Sequence, residues 1–141
     1  MKRCRTQTLW TTIAVAFVLV GRVVSLAGAE GSAGPRTVEL IADKDNKWKL
    51  ADGQKGPVML KSGETVRFRV KSYFGGEKAR DGAVHSFVVR KLRDKGWSVR
   101  LKEGVEEFTL AAPPPGNYLI ECTVECGPGH DDMSIKLVVV K

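Results

Sequence analysis

The sequence predicts an all-β fold, a two-sheet antiparallel sandwich with Greek-key connections. Short runs rich in β-branched and aromatic residues recur along the chain between turn residues, as is typical of such folds. The clearest run alternates Val66, Phe68 and Val70 with basic residues, which indicates a strand with one buried and one wet face. After residue 30 the chain has no long amphipathic helical repeat, so we expect little helix.

Residues that favour turns bound the predicted strands. Ser62-Gly63-Glu64 supplies the turn into the alternating strand, and Pro113-Pro114-Pro115-Gly116 must form a corner because proline cannot donate to a β-ladder. Tyr73 to Gly82 is predicted as a loop, since it contains two adjacent glycines and mixed charges. In chain order the predicted strands are Thr37–Ala42, Val58–Leu60, Thr65–Ser72, Val84–Arg90, Ser98–Leu101, Glu106–Leu110, Asn117–Cys122 and Ser134–Val140.

The first 29 residues have the pattern of an export signal. A basic head of Lys2, Arg3 and Arg5 precedes an apolar run from Leu9 to Val20, and the small residues Ala27-Gly28-Ala29 offer a cleavage site. An uncleaved membrane anchor is the alternative, although a spanning helix needs about 20 apolar residues and Arg22 interrupts this run. We therefore predict a signal peptide over residues 1–29 and a periplasmic or otherwise extracytoplasmic location.

One folded domain is expected over residues 36–141, after a Gly/Ser/Ala-rich linker at residues 30–35. Removal of residues 1–29 takes away four basic residues and no acidic ones, which lowers the net charge from +7 to +3. Charges of both signs are interspersed over the rest of the chain, which argues against nucleic-acid binding. Membrane association is expected only through residues 9–29 or through a membrane complex.

A cluster of soft metal ligands lies near the C-terminus. Cys122, Cys126, His130 and Met133 form the pattern C-x3-C-x3-H-x2-M, and His85 is the chain's other histidine. Thiolate, imidazole and thioether groups together suit copper far better than calcium or magnesium. The alternative for the two cysteines is a disulfide, which exported proteins often contain and which the metal-free protein could form.

The predicted strands bring these residues to one end of the sandwich. The strand Asn117–Cys122 ends at the first cysteine, and Gly127-Pro128-Gly129 turns the chain back before the strand that begins near Ser134. His85 lies on an upstream strand, where Phe87 and Val89 share its face. It can reach the same end from a neighbouring strand.

These residues resemble the cupredoxins and, within them, the CuA domain of cytochrome oxidase subunit II. The resemblance covers Thr65 to Lys141, with Ala83-Val84-His85-Ser86-Phe87 as the upstream motif and Gly116-Asn117-Tyr118 leading into Cys122. The spacing C-x3-C-x3-H-x2-M is specific to CuA, whereas single-copper cupredoxins have only the second cysteine. Val124 stands where many members of that family carry a glutamate that also touches magnesium, so no magnesium site is expected.

The resemblance implies a mixed-valence centre of two copper ions. Its ligands would be two bridging thiolates, a histidine on each copper, a weak thioether ligand and a backbone carbonyl. In that order they are Cys122 and Cys126, His85 and His130, Met133, and Val124.

We therefore predict a protein that relays single electrons, as a soluble carrier or as a subunit II-like protein through which electrons enter an oxidase. Its partner would be a redox protein such as cytochrome c or an oxidase complex. No residues suggest a catalytic site of its own, since hydrolytic and transferase chemistry lack candidates. The alternatives are a copper-delivery protein and a mononuclear cupredoxin that uses Cys126, His130, Met133 and His85. Asp131 and Asp132 could form an acidic docking spot or simply be solvated.

Overall fold

The computed structural model describes residues 34–141. The predicted signal peptide and most of the predicted linker therefore lie outside the described residues. Among residues 34–141 the structure contains no helix that could span a membrane.

Nine strands and two short 3-10 helices make up the described domain. The strands are β1 Arg36–Ala42, β2 Trp48–Leu50, β3 Val58–Lys61, β4 Thr65–Ser72, β5 His85–Val88, β6 Ser98–Leu101, β7 Gly104–Ala111, β8 Gly116–Glu121 and β9 Ser134–Val140. The 3-10 helices are Arg90–Lys95, before β6, and His130–Asp132, before β9.

The strands form the two sheets of a sandwich, which confirms the predicted fold class. One sheet has the order β2-β1-β4-β7 and the other the order β3-β9-β8-β5-β6. In β4 the side chains of Val66, Phe68 and Val70 are buried and the residues between them are exposed. The alternation of the sequence thus sets which face of β4 packs into the core.

Two strand pairs contradict the prediction of antiparallel sheets. β1 pairs with β4 in parallel, and β3 pairs with β9 in parallel. Both pairs join strands that are not consecutive, and the chain visits the other sheet between them. Such long connections allow parallel pairing, whereas a tight hairpin allows only antiparallel pairing. The sheets are therefore mixed.

Two strand predictions also need correction. The strand predicted over Val84–Arg90 is shorter, because β5 ends at Val88 and the chain enters the 3-10 helix at Arg90. That helix ends at Gly96, whose φ of 86° lies in the left-handed region that favours glycine. The short strand β2 was not predicted from the sequence, and it pairs with β1 at the edge of its sheet.

Aromatic side chains fill the centre of the sandwich. Phe87 of β5 lies among Phe68, Phe108, Trp97 and Trp48, with ring centroids 5.0 to 6.0 Å from its own. Trp97 is buried, and its indole N–H donates to the Ala111 carbonyl over 3.2 Å. This core fixes the strand that carries His85.

Candidate metal centre

The loop from Cys122 to Met133 joins two paired strands at one end of the sandwich. β8 and β9 are antiparallel neighbours, with Glu121 opposite Ser134. The backbone N–H of Cys122 donates to the Met133 carbonyl over 3.1 Å, which closes the base of the loop. The ends of the predicted C-x3-C-x3-H-x2-M motif are thereby held together.

Glycines allow the loop to turn within this span. Gly127 and Gly129 have φ values of 112° and 90°, which other residues rarely adopt. The His130 N–H donates to the Gly127 carbonyl over 3.1 Å, and the Met133 N–H donates to the His130 carbonyl over 2.9 Å. These bonds turn the His130 and Met133 side chains back toward the cysteines.

The sulfur of Cys126 lies at the centre of the predicted ligands. It is 3.8 Å from Cys122 Sγ, 3.5 Å from His130 Nδ1 and 3.8 Å from Met133 Sδ. Cys126 is fully buried, and Cys122 and Met133 are nearly so. His130 is half-buried and lines a cavity of about 210 Å³ together with Cys122, Met133 and Arg90. Outside access to the cluster is therefore on the His130 side.

His85 completes the cluster from β5. Its ligand nitrogen and the sulfurs of Cys122 and Cys126 all lie within 4.8 Å of one another. Nε2 is 2.8 Å from the Tyr73 carbonyl, which can only accept, so Nε2 carries the proton and donates. Nδ1 is then a buried lone pair, and it has no hydrogen-bond partner among residues 34–141. A buried, correctly tautomerised nitrogen without a partner is what a metal ligand requires.

The sulfur of Cys122 receives hydrogen bonds from the residue after His85. The backbone N–H of Ser86 donates to Cys122 Sγ over 3.4 Å, and Ser86 Oγ accepts from the Thr123 N–H over 2.7 Å. The Val124 carbonyl oxygen lies 3.3 Å from Cys122 Sγ. The Cys122 thiol, the Ser86 N–H of β5 and the Val124 carbonyl thus lie together. The Val124 carbonyl is the backbone oxygen that was predicted as a ligand.

The distance between the two sulfurs fits a shared metal. A disulfide has an S–S bond of about 2.05 Å, and Cys122 and Cys126 are free cysteines in the described chain. At metal–sulfur distances of about 2.3 Å, two sulfurs on one metal at a tetrahedral angle lie about 3.8 Å apart. The observed 3.8 Å matches this spacing. The donor set of two thiols, two imidazoles and a thioether fits copper.

Comparison with solved structures identifies the fold. The domain is similar to a chain of a heme-copper terminal oxidase dimer, with a TM-score of 0.56 and 20% identity. The match covers 76% of this chain and 66% of the oxidase chain, which is just under two thirds of the oxidase chain's length. It is similar to the periplasmic domain of subunit II of cytochrome oxidase (CoxB) of Bradyrhizobium japonicum (TM-score 0.51, 17% identity, 75% of this chain and 84% of that one). It is also similar to auracyanin B (TM-score 0.52, 21% identity, 77% and 91%).

The domain has the cupredoxin fold. No family model matches the sequence, and no curated protein matches it. Similarity to these cupredoxins therefore rests on the arrangement of strands. The predicted resemblance to the cupredoxins is confirmed at the level of the fold.

Burial controls the ionisation of the cluster in the metal-free protein. Desolvation of Cys126, with a smaller contribution from Cys122, raises the pKa of the Cys126 thiol to about 12. Desolvation also lowers the pKa of His85, against the opposing effect of its bond to the Tyr73 carbonyl and with a small contribution from His130. His85 is thus kept neutral and Cys126 protonated, so a metal ion must displace a proton from Cys126 to bind it.

We expect Cys126 to react slowly with alkylating reagents in the metal-free protein. A free thiol has a pKa of about 8.5, so at pH 8 a thiol with a pKa of about 12 has on the order of a thousandfold less thiolate. Iodoacetamide labelling followed by mass spectrometry of the Cys126 peptide measures this rate. Equal rates in native buffer and in 8 M urea, in which the thiol is exposed, would contradict the prediction.

The same shift sets the sign of a pH effect on stability. Between about pH 8.5 and pH 12 the unfolded state loses the Cys126 proton while the folded state keeps it, so the free energy of unfolding falls as the pH rises. Urea unfolding of the metal-free protein at pH 8 and pH 10 measures this change, and Cys126→Ala should remove this part of it.

Three residues around the centre were missed by the sequence analysis. The Tyr73 carbonyl orients His85, the Ser86 N–H contacts Cys122, and the Asn46 amide holds the Pro128 carbonyl over 2.7 Å. Two of these contacts use backbone atoms, which any residue type supplies. Only Asn46 carried a signal, since Asn in a run of turn residues favours the left-handed conformation that it adopts, with φ at 54°.

The two aspartates of the loop are exposed to solvent. Asp131 and Asp132 are exposed on the 3-10 helix, and Asp132 lies 3.5 Å from the ammonium group of Lys47. An exposed pair of this kind adds little to stability. Their role in docking a partner stays a prediction.

Proposed function

We propose that this protein relays single electrons through two copper ions bound at the end of its sandwich. The ligands would be the thiolates of Cys122 and Cys126, the imidazoles of His85 and His130, the thioether of Met133 and the carbonyl of Val124. The observation that carries the proposal is the convergence of His130, Met133 and Cys122 within 3.8 Å of Cys126 Sγ. A ring nitrogen of His85 lies within 4.8 Å of both sulfurs, and its Nδ1 is buried without a hydrogen-bond partner among the described residues.

Two copper ions, rather than one, are supported by the position of Cys122. Its sulfur lies 3.8 Å from that of Cys126, and Cys122 is buried, with 6% of its surface exposed. A bystander cysteine would not need to face the ligand sulfur. The two copper ions would supply a one-electron couple, and the thiolates of Cys122 and Cys126 would help to hold both ions.

The surrounding residues support electron transfer because they hold the ligands still. Tyr73 fixes the ring of His85, Ser86 fixes Cys122, and the backbone bond from Cys122 to Met133 closes the loop. Rigid ligands change little in geometry between oxidation states, which keeps the barrier to electron transfer low. A hydrogen bond to a cysteine sulfur also adjusts the reduction potential.

Location and partner follow from the same proposal. The signal pattern of residues 1–29 would place the domain outside the cytoplasm, and a redox protein such as cytochrome c or an oxidase complex would be its partner. The half-buried His130 is the ligand nearest the surface, beside a cavity of about 210 Å³. Electrons would therefore pass on the His130 side.

A mononuclear centre is the second candidate. The fold of auracyanin B is as similar to this domain as that of the subunit II domain, with TM-scores of 0.52 and 0.51. Auracyanin A, described as a "blue" copper protein, is also similar, with a TM-score of 0.50. In this case His85, Cys126, His130 and Met133 would bind one copper ion. Copper delivery is less well supported, because full burial of Cys126 and His85 disfavours rapid transfer of the ion to a partner.

Electron paramagnetic resonance of the copper-loaded protein tests the proposal. We expect about two copper ions per chain and a multi-line hyperfine pattern from one unpaired electron coupled to two copper nuclei. A variant with both Cys122→Ser and Cys126→Ser is the control, and it should lose this signal. A pattern from one nucleus would favour the mononuclear centre, and failure of the protein to bind copper would contradict both.

A further inference from the structure

Asn46 is a buried polar residue outside the ligand set. It lies in the turn between β1 and β2 and is 1% exposed. Its side-chain amide donates one hydrogen bond to the Gly75 carbonyl over 3.1 Å and another to the Pro128 carbonyl over 2.7 Å. Because both neighbours are carbonyl oxygens, the amide must present its NH₂ group to them. One side chain thus joins three separate loops.

Both partners of Asn46 are close in sequence to groups of the metal centre. Pro128 lies midway between Cys126 and His130. Gly75 lies two residues after Tyr73, whose carbonyl accepts the hydrogen bond from His85 Nε2 over 2.8 Å. The Asn46 amide therefore links the loop that carries Cys126 and His130 to the loop that orients His85.

The three loops pack too closely to admit another side chain. A Cβ atom on Gly75 would overlap Asn46 Oδ1, and one on Gly127 would lie 2.7 Å from the Gly75 carbonyl oxygen. Asn46 Oδ1 itself has no hydrogen-bond partner among the described residues. A buried oxygen without a partner is costly. The position of Asn46 is therefore explained by the two hydrogen bonds of its NH₂ group and by its backbone conformation in the turn.

We propose that Asn46 is a positioning residue of the metal centre, which locks the Cys126–His130 loop to the Tyr73–Gly75 segment. Its importance for copper rests on the proposed function, but the two hydrogen bonds that form this lock are present without the metal. The competing explanation is that Asn46 only satisfies the backbone of its turn, where φ is 54°. The two roles use different parts of the residue, so they can be separated.

Two substitutions separate the NH₂ group from the backbone requirement. Asn46→Asp keeps the size of the side chain and tolerates positive φ, but an ionised carboxylate cannot donate to the Gly75 and Pro128 carbonyls. Asn46→Gly also tolerates positive φ and removes the side chain. If the lock exists, both variants loosen the loop. If Asn46 serves only its turn, neither does.

Amide hydrogen exchange of the metal-free protein is the first measurement. We expect the N–H groups of His130 and Met133, bonded within the loop, to exchange about tenfold faster or more in both variants, because two hydrogen bonds that close the loop are lost. We also expect copper-loaded variants to release copper to a chelator about tenfold faster or more. Asn46→Gly keeps the test valid if the buried charge of Asn46→Asp prevents folding.

Leu60→Ala is the matched control for a general loss of stability. Leu60 is 1% exposed and pairs with Val139, at the end of β9 away from the loop. It should lower the unfolding midpoint without changing exchange at His130 and Met133 or the rate of copper release. Loop exchange that matches the wild type in both Asn46 variants, or that rises equally in Leu60→Ala, would overturn the proposal.

The two proposals fail in different measurements. Faster loop exchange with unchanged copper release would overturn the role of Asn46 in the metal centre. A one-nucleus copper spectrum of the wild type would contradict the two-copper centre, while faster exchange and faster copper release in the variants would still support the lock.

Discussion

Substitution of Cys122→Ser is expected to reduce the bound copper from about two ions per chain to about one and to leave a one-nucleus hyperfine pattern. A serine hydroxyl is a hard, weak ligand for copper and does not bridge two ions as a thiolate does. Cys126 would keep His130 and Met133, at 3.5 and 3.8 Å from its sulfur. Metal analysis and electron paramagnetic resonance measure the two effects.

The matched control for this experiment is Cys126→Ser. Cys126 Sγ is the atom that Cys122, His130 and Met133 all approach, so its loss should lower copper affinity about a hundredfold or more. Serine replaces cysteine with little change in volume, so the fold of both variants should survive. The asymmetry between the variants follows from the geometry, because Cys122 contacts fewer of the proposed ligands.

A one-nucleus copper spectrum that is the same in the wild type and in Cys122→Ser would contradict the two-copper centre. It would mean that Cys122 is a bystander and that His85, Cys126, His130 and Met133 bind a single ion. The hydrogen bond from the Ser86 N–H to Cys122 Sγ would then serve the fold alone. Loss of all copper from both variants would instead indicate that neither thiolate suffices by itself.

The course of the loop from Cys122 to Met133 could be predicted from the sequence because local rules determine it. A strand that ends near Cys122, a turn at Gly127-Pro128-Gly129 and a strand that begins at Ser134 bring both ends of the motif together. Across this loop β8 and β9 pair antiparallel, with Glu121 opposite Ser134. The position of His85 could be predicted less firmly from the sequence. It depends on β5 pairing with β8, with Val88 opposite Glu121.

The direction of the parallel strands could not be predicted in the same way. Alternation in β1 and β4 indicates which residues face the core, and it is the same for either strand direction. Parallel pairing of β1 with β4 depends on a long connection through the other sheet. β2 escaped prediction because three residues, Trp48–Leu50, are too few to show a period.

Contacts made by backbone atoms were also invisible in the sequence. The Tyr73 carbonyl that holds His85 would be supplied by any residue at that position. Its place is set by the path of the loop after β4, which in turn depends on Gly75 fitting against Asn46. The side chains of the candidate metal centre could therefore be named from the sequence, whereas the backbone groups that contact them required the fold.

Substitution of Phe87→Ala is expected to lower the free energy of unfolding of the metal-free protein by about 3 to 5 kcal/mol. The Phe87 ring is fully buried, and its centroid lies 5.0 Å from that of Phe68 and 5.1 Å from that of Phe108. Alanine would leave a cavity at the point where both sheets meet. Such a loss is a large part of the roughly 5 to 15 kcal/mol that stabilises a domain. Urea unfolding followed by tryptophan fluorescence measures it.

The effect should extend to the metal centre because Phe87 and His85 share one face of β5, two residues apart. With the Phe87 ring removed, β5 would lose the contacts that set its depth in the sandwich, and the His85 ring would no longer be held beside the two sulfurs. Val105→Ala is the control, since Val105 is 48% exposed on β7 and should change stability by less than about 0.5 kcal/mol. If Phe87→Ala lowers the free energy of unfolding no more than Val105→Ala does, the aromatic cluster does not fix β5. The His85 side of the centre would then be held only by the contacts of Tyr73 and Ser86.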